Sequence, residues 1–317
     1  LVGSEMCIRD STYVALDNAG LDVDAAWVAL KMADCYLTLN RHADAAEVAL
    51  EAADRFQRHG TTTEAAKARS VAAIAFARGG DATRAMALLD SAAGTFVSAG
   101  LATHVGHMAL HRSALYVREG RWDEASGEAK RAHALFEEQG LTLPLAQADL
   151  LAARAALGAG NPVLAAELTS SALTTAKDRD ALWLAQEAHH VQGTVAQAQG
   201  DDRSALESYS RAIDTIERMQ QVLAVELRTH FLDDKARVFQ DAIETSLQLG
   251  ETEAALSYLE RSKSRALADY LATHLDVRLR AKTNSSEAGI ATLRRLREEH
   301  NWFYSRLVSS RFGGRVS

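Results

Sequence analysis

Apolar and small residues recur along this chain at intervals of three and four, as in Trp27, Leu30, Ala33 and Leu37, or Met86, Leu89 and Phe96. Side chains so spaced share one face of an α-helix, and the pattern predicts amphipathic helices. The helical runs stop at a fixed interval. Gly20, Gly60, Gly100 and Gly140 are forty residues apart, as are Gly80, Gly120, Gly160 and Gly200, with Asn40 one period earlier. Glycine adopts the left-handed conformation that ends a helix at no steric cost, and asparagine is the commonest substitute. The chain is therefore expected to turn every twenty residues, each forty-residue unit being a helix, a tight turn and a second helix. Asn161 followed by Pro162 gives the matching start signal, a capping side chain and then proline where its missing N–H is not needed.

Small residues predict how the helices meet. Ala45, Ala85, Ala125, Ala165 and Ala205 fall forty apart, and each is followed seven residues later by another alanine: Ala52, Ala92, Ala132, Ala172 and Ala212. Two alanines seven apart lie two turns apart on one face, where a neighbouring helix can approach closely.

Composition supports an all-α chain. Of 317 residues 47% are hydrophobic, only 6% are aromatic and two are proline. Alanine loses no side-chain entropy in a helix, whereas proline breaks the backbone ladder. No run of eighteen apolar residues is present to span a membrane. The net charge of −7 is unevenly spread, because from Arg261 onward twelve Lys or Arg face five Asp or Glu. Such a basic segment suits either a nucleic-acid surface or docking on an acidic neighbouring domain. No aromatic stacking platform accompanies these charges, which favours docking and makes nucleic acid an unlikely partner.

The first eleven residues, "LVGSEMCIRDS", lack the basic start, apolar run and cleavage site of a signal peptide. They resemble, residue for residue, the translation of a transposase-end adapter used in preparing DNA for sequencing. On that reading residues 1–11 are an artefact, the natural protein begins upstream, and Cys35 is the only natural thiol. One cysteine makes no internal disulfide or zinc finger, so a reducing cytoplasm is expected.

"EGRWDEASGEAKRAHALF" and "QGDDRSALESYSRAIDTI" resemble the tetratricopeptide repeat, with a mid-unit glycine, an alanine five residues later and a second alanine seven beyond that. Tyr36, Phe76 and Tyr116 keep the aromatic position of its first helix, although most units lack its Trp, Leu and Gly there. The usual period is about 34 residues, so forty implies longer helices. The resemblance covers residues 12–219 as five full units and a truncated helix, and it implies an α-solenoid of antiparallel helix pairs that holds a protein or peptide in its concave groove. In the family the first helices line that groove, which by register puts Trp27, Asp34, Lys67, Arg78, His107, Arg118, Arg154 and His190 toward it. The Lys and Asn pattern by which some members grip a terminal carboxylate is absent. Leu30 with Asp34, Ser70 with Ile74 and Leu110 with Ala114 stand there instead.

After Gly200 the next turn, Gly250, comes fifty residues later. "GETEAALSYLERSKSRALADYLA" and the preceding "ELRTHFLDDKARVFQDAIETSLQLG" resemble the junction of bacterial CHAT-domain proteins, in which a tetratricopeptide array leads through a helical hairpin to a caspase-like domain. "LRRLREEHNWFYSRL" resembles part of that hairpin, with a capping-box-like start at Asn284 and Glu287 and a stripe of Ile290, Leu293, Leu296, Phe303 and Leu307. The resemblance implies an extended terminal helix pair over 220–273, a hairpin over 274–317 and a catalytic domain beyond Ser317. Of its His-Gly and nucleophilic Cys motifs neither is in this chain, since the one histidine followed by glycine, His59, precedes the helix-stop Gly60 of the repeat, so the fragment is expected to be a docking or sensing arm and not itself an enzyme. The sensor arm of a transcriptional or signalling regulator and a free-standing scaffold are the alternatives.

His104, His107 and His111 are spaced i, i+3 and i+7, and three converging imidazoles would bind zinc or nickel. No carboxylate stands one turn away to orient a ring, and independent groove or surface histidines are the simpler reading. There is no phosphate loop, HExxH or GxSxG motif, and no cofactor is implied.

Overall fold

A computed structural model describes residues 11–38, 40–221 and 235–262, and every regular element among them is an α-helix. The adapter-like residues 1–10, residues 222–234 and 263–273 around the CHAT-like junction and the hairpin expected over 274–317 lie outside the described residues. Five helix pairs follow one another. Their first helices are α1 (Asp22–Thr38), α3 (Thr62–Gly79), α5 (Ala102–Glu119), α7 (Thr142–Gly158) and α9 (Leu182–Ala198). Their second helices are α2 (His42–Arg58), α4 (Ala82–Ser98), α6 (Trp122–Glu138), α8 (Pro162–Asp178) and α10 (Asp202–Gln221), after which comes α11 (Ala236–Gln248). Residues 11–18 and 252–262 are also helical. Among the described residues no helix is long and apolar enough to cross a membrane.

The expected turns are present. At Gly140 (φ 66°) the glycine N–H bonds the Glu137 carbonyl at 3.0 Å and the Leu141 N–H reaches back to Phe136 at 2.9 Å, closing the helix with a left-handed cap. Asn161 caps α8 by accepting the Leu164 N–H at 3.1 Å, with Pro162 in the first turn. Two turns make do without glycine, at Asn40 (φ 53°) and Asp180 (φ 48°). The left-handed region crowds an L side chain against its own carbonyl, so Asp180→Gly is expected to stabilise the chain by about 0.5 to 1 kcal/mol. An upward shift of the urea midpoint at constant slope would show it; no shift would mean that Asp180 makes a compensating contact.

The two alanine series are the axis of the stack. All ten residues are completely buried, and in successive units Ala52 packs with Phe56, Ala85 and Ala92 with Phe96, and Ala132 with Phe136. Each helix packs on the next, and successive first helices also pack on one another, α1 on α3, α3 on α5, α5 on α7 and α7 on α9; second helices make no comparable contact. Successive units are therefore joined along the edge formed by their first helices. The core does not stop at the fifth unit. Val238, Phe239 and Ala242 of α11 pack with Tyr209, Ala212, Ile213 and Ile216 of α10, and Gly250 (φ 76°) ends α11 with the same cap.

Candidate functional site

Four successive first helices, α3, α5, α7 and α9, line one cavity of about 300 Å³. Most of its residues occupy a single stripe of the repeat, in which one helix contributes at i, i+4, i+7 and i+11. Gln147 and Glu187 hold the first position, His111 and Leu151 the second, Ile74, Ala114 and Arg154 the third, Arg78 and Arg118 the last. Leu89 and Leu110 join this apolar lining, so the cavity has apolar walls and a polar, largely cationic border.

The arginines are held in place by the repeat itself. Arg78 Nη1 donates to the Leu37 carbonyl at 3.3 Å and Arg118 Nη1 donates to the Ala77 carbonyl, the same reach of forty-one residues onto the end of the preceding first helix. Each carbonyl already accepts a capping N–H, from Asn40 and Gly80 respectively, so the guanidinium adds a second donor there and is favoured by the helix dipole. Among the described residues none of Arg78, Arg118 and Arg154 meets a carboxylate. His111, half-buried in the same cavity, carries no charge at neutral pH. Burial, then the neighbouring His107 and then Arg78 push its pKa down to about 4.

The three α5 histidines do not converge. The His104 ring lies 4.8 Å from Phe96 and the His107 ring 5.0 Å from Phe136, while His111 lines the cavity. Burial lowers the pKa of both His104 and His107, with Lys67 and His104 respectively adding to it. Among the described residues no group of three His, Cys, Asp or Glu is arranged to hold a metal ion.

The other residues assigned to the groove by register lie elsewhere on the first helices. Trp27 packs edge-on against Phe56 with centroids 5.2 Å apart, Asp34 accepts Lys31 at 3.2 Å, and Lys67 stands 4.0 Å from Glu64. His190 is engaged within the fold, its Nε2 2.7 Å from Asp241 of α11. Gln147 and Glu187 were missed by the sequence reading, although both continue the forty-residue register of Trp27, Lys67 and His107.

No protein-family model and no curated protein sequence matches the chain. Among solved structures it is similar to BtubC (BKLC) from P. vanneervenii, with 19% identity and a TM-score of 0.54 over 73% of this chain and 91% of that one. It is also similar to a Rap protein complexed with competence and sporulation factor, at 18% identity and TM-score 0.61 over 78% of this chain, which spans 65% of that Rap chain's length. The apo form of RapI gives 11% identity and a TM-score of 0.64 over 82% of this chain and 91% of that one. At these identities the likeness is one of fold, and the fold is a tetratricopeptide-like α-solenoid of antiparallel helix pairs.

Proposed function

We propose that the chain is a protein-docking arm that holds a peptide segment in the groove of its first helices. The observation that carries this reading is the cavity shared by α3, α5, α7 and α9: four units contribute one register each to a single surface, and no helix pair alone could form it. The test is a displayed library of short random peptides selected on the purified chain. Binders are expected to lose affinity on Ala114→Trp, which fills the cavity, and binders indifferent to that change would refute the reading.

The finer proposal is that this arm belongs to a CHAT-domain cysteine peptidase. Residues 12–219 are then the array, 220–273 the extended terminal pair and 274–317 the hairpin leading to a catalytic domain in cis, with residues 1–11 derived from adapter. Its support is the resemblance of the "ERSKSRAL" stretch and of the charged segment after it. A His-Gly motif and a later Ser-Ala-Cys-type motif downstream of Ser317 are expected, whereas a helix-turn-helix or nucleotide-binding domain there would assign the arm to a regulator. The chain itself is expected to cleave no peptide. Cys35 stands within α1 one residue before Tyr36, and peptidase activity lost on Cys35→Ala would overturn the assignment.

A further inference from the structure

Three arginines in the groove depart from the charge pattern around them. Residues 1–260 carry a net charge of −14, and several arginines elsewhere in the fold are matched locally. Arg55 meets Asp17, Asp22 and Glu51; Arg112 meets Asp90 and Glu128; Arg261 meets Asp214 and Glu217. Arg78, Arg118 and Arg154 border one cavity and meet no carboxylate among the described residues, although Glu187 lines the same cavity.

A guanidinium presents five N–H donors in a rigid fork that matches a carboxylate. Arg78 and Arg118 each commit one nitrogen to a backbone carbonyl, which fixes the fork while leaving the remaining donors for a ligand. Like charges beside a cleft with apolar walls raise one another's energy, and an anionic group entering the cleft relieves that repulsion. The apolar lining of Ile74, Leu110, Ala114 and Leu151 suits an aliphatic side chain, and among the described residues no Phe, Tyr or Trp borders the cavity to stack a nucleobase.

Resting on the docking reading above, we infer that the groove's ligand is an acidic peptide segment, bound extended, with carboxylates on Arg78 and Arg118, an apolar residue between them and a further carboxylate on Arg154. The two arginines share one register on first helices in contact, and packed helices lie roughly 8–10 Å apart. An extended peptide rises about 3.3 Å per residue, so acidic residues about three apart match the two arginines. This site differs from the terminal-carboxylate clamp of other tetratricopeptide domains, whose positions hold Ser70, Ile74, Leu110 and Ala114 here.

The selected peptide pool decides the matter. It is expected to be rich in Asp and Glu, and the best synthetic member, followed by fluorescence polarisation, should weaken by about tenfold on Arg118→Gln and on Arg154→Gln. Among the described residues Arg154 makes no hydrogen bond or ion pair, so its replacement removes no such contact there. Glu187→Gln should tighten binding or leave it unchanged. A pool that binds in the groove without acidic bias, or an acidic peptide indifferent to both arginine substitutions, would overturn the anionic-ligand assignment and leave the docking reading standing. A pool with no member sensitive to Ala114→Trp would remove both.

Discussion

Gly193→Ala is expected to destabilise the chain by about 2 kcal/mol, although alanine is the better helix former. A Cβ on Gly193 would lie 2.3 Å from Tyr209 Cε1 and 2.5 Å from Cδ1, far inside van der Waals contact. Tyr209 has nowhere to go. It is completely buried, its hydroxyl donates to Gln197 Oε1 at 2.7 Å, and the His190 ring lies 5.8 Å away. Overpacking costs roughly 1–3 kcal/mol and the lost hydrogen bond about 1, against about 1 regained from helix propensity. Three units earlier Ala73 and Leu89 hold the same two positions within one core cluster. Adding Tyr209→Leu to the variant should therefore recover most of the loss. Urea unfolding of the single and double variants measures both steps, and an undiminished midpoint for Gly193→Ala would mean that α9 and α10 are not held this close.

That pairing shows what the sequence disclosed and what it withheld. Glycines at the turns are legible because they recur every twenty residues and no other common residue serves as well there. Gly193 is not legible in the same way. It lies inside a helix, where glycine by itself signals only weakness, and its reason is an aromatic ring sixteen residues away that other units lack. The alanine series was readable since a small residue repeated five times at one position reports a close contact in every unit. Arg78, Arg118 and Arg154 were reached by register, which is geometry carried by the sequence; that they border one cavity is not, because that depends on how first helices of four units stack. His190 went to Asp241 instead because α11 packs beside α9, a neighbour hidden by the fifty-residue interval before Gly250.

Acidification from pH 7.5 to pH 5 is expected to cost the fold about 2 kcal/mol through His111 alone. Its ordinary pKa of about 6.5 applies in the unfolded chain, and in the fold the value falls to about 4 through burial, His107 and Arg78. Between those values the unfolded chain holds a proton that the folded chain does not, so stability falls with pH across that window. The contribution is complete above about pH 7.5 and its loss levels off below about pH 4. His104, His107 and His189, all lowered first by burial, act in the same direction; Asp149, whose pKa burial raises, opposes them near the acid end. His111→Gln should flatten the melting temperature against pH over this range, and NMR titration of the His111 ring should give a midpoint near 4. A midpoint near 6.5 would mean that the imidazole is solvated and the cavity more open than its lining implies. A neutral His111 also bears on ligand binding, because the positive charge of the groove then resides wholly on arginine. Affinity for an acidic peptide should accordingly stay level from pH 7.5 to pH 6, whereas a rise over that interval would assign the charge to the histidine.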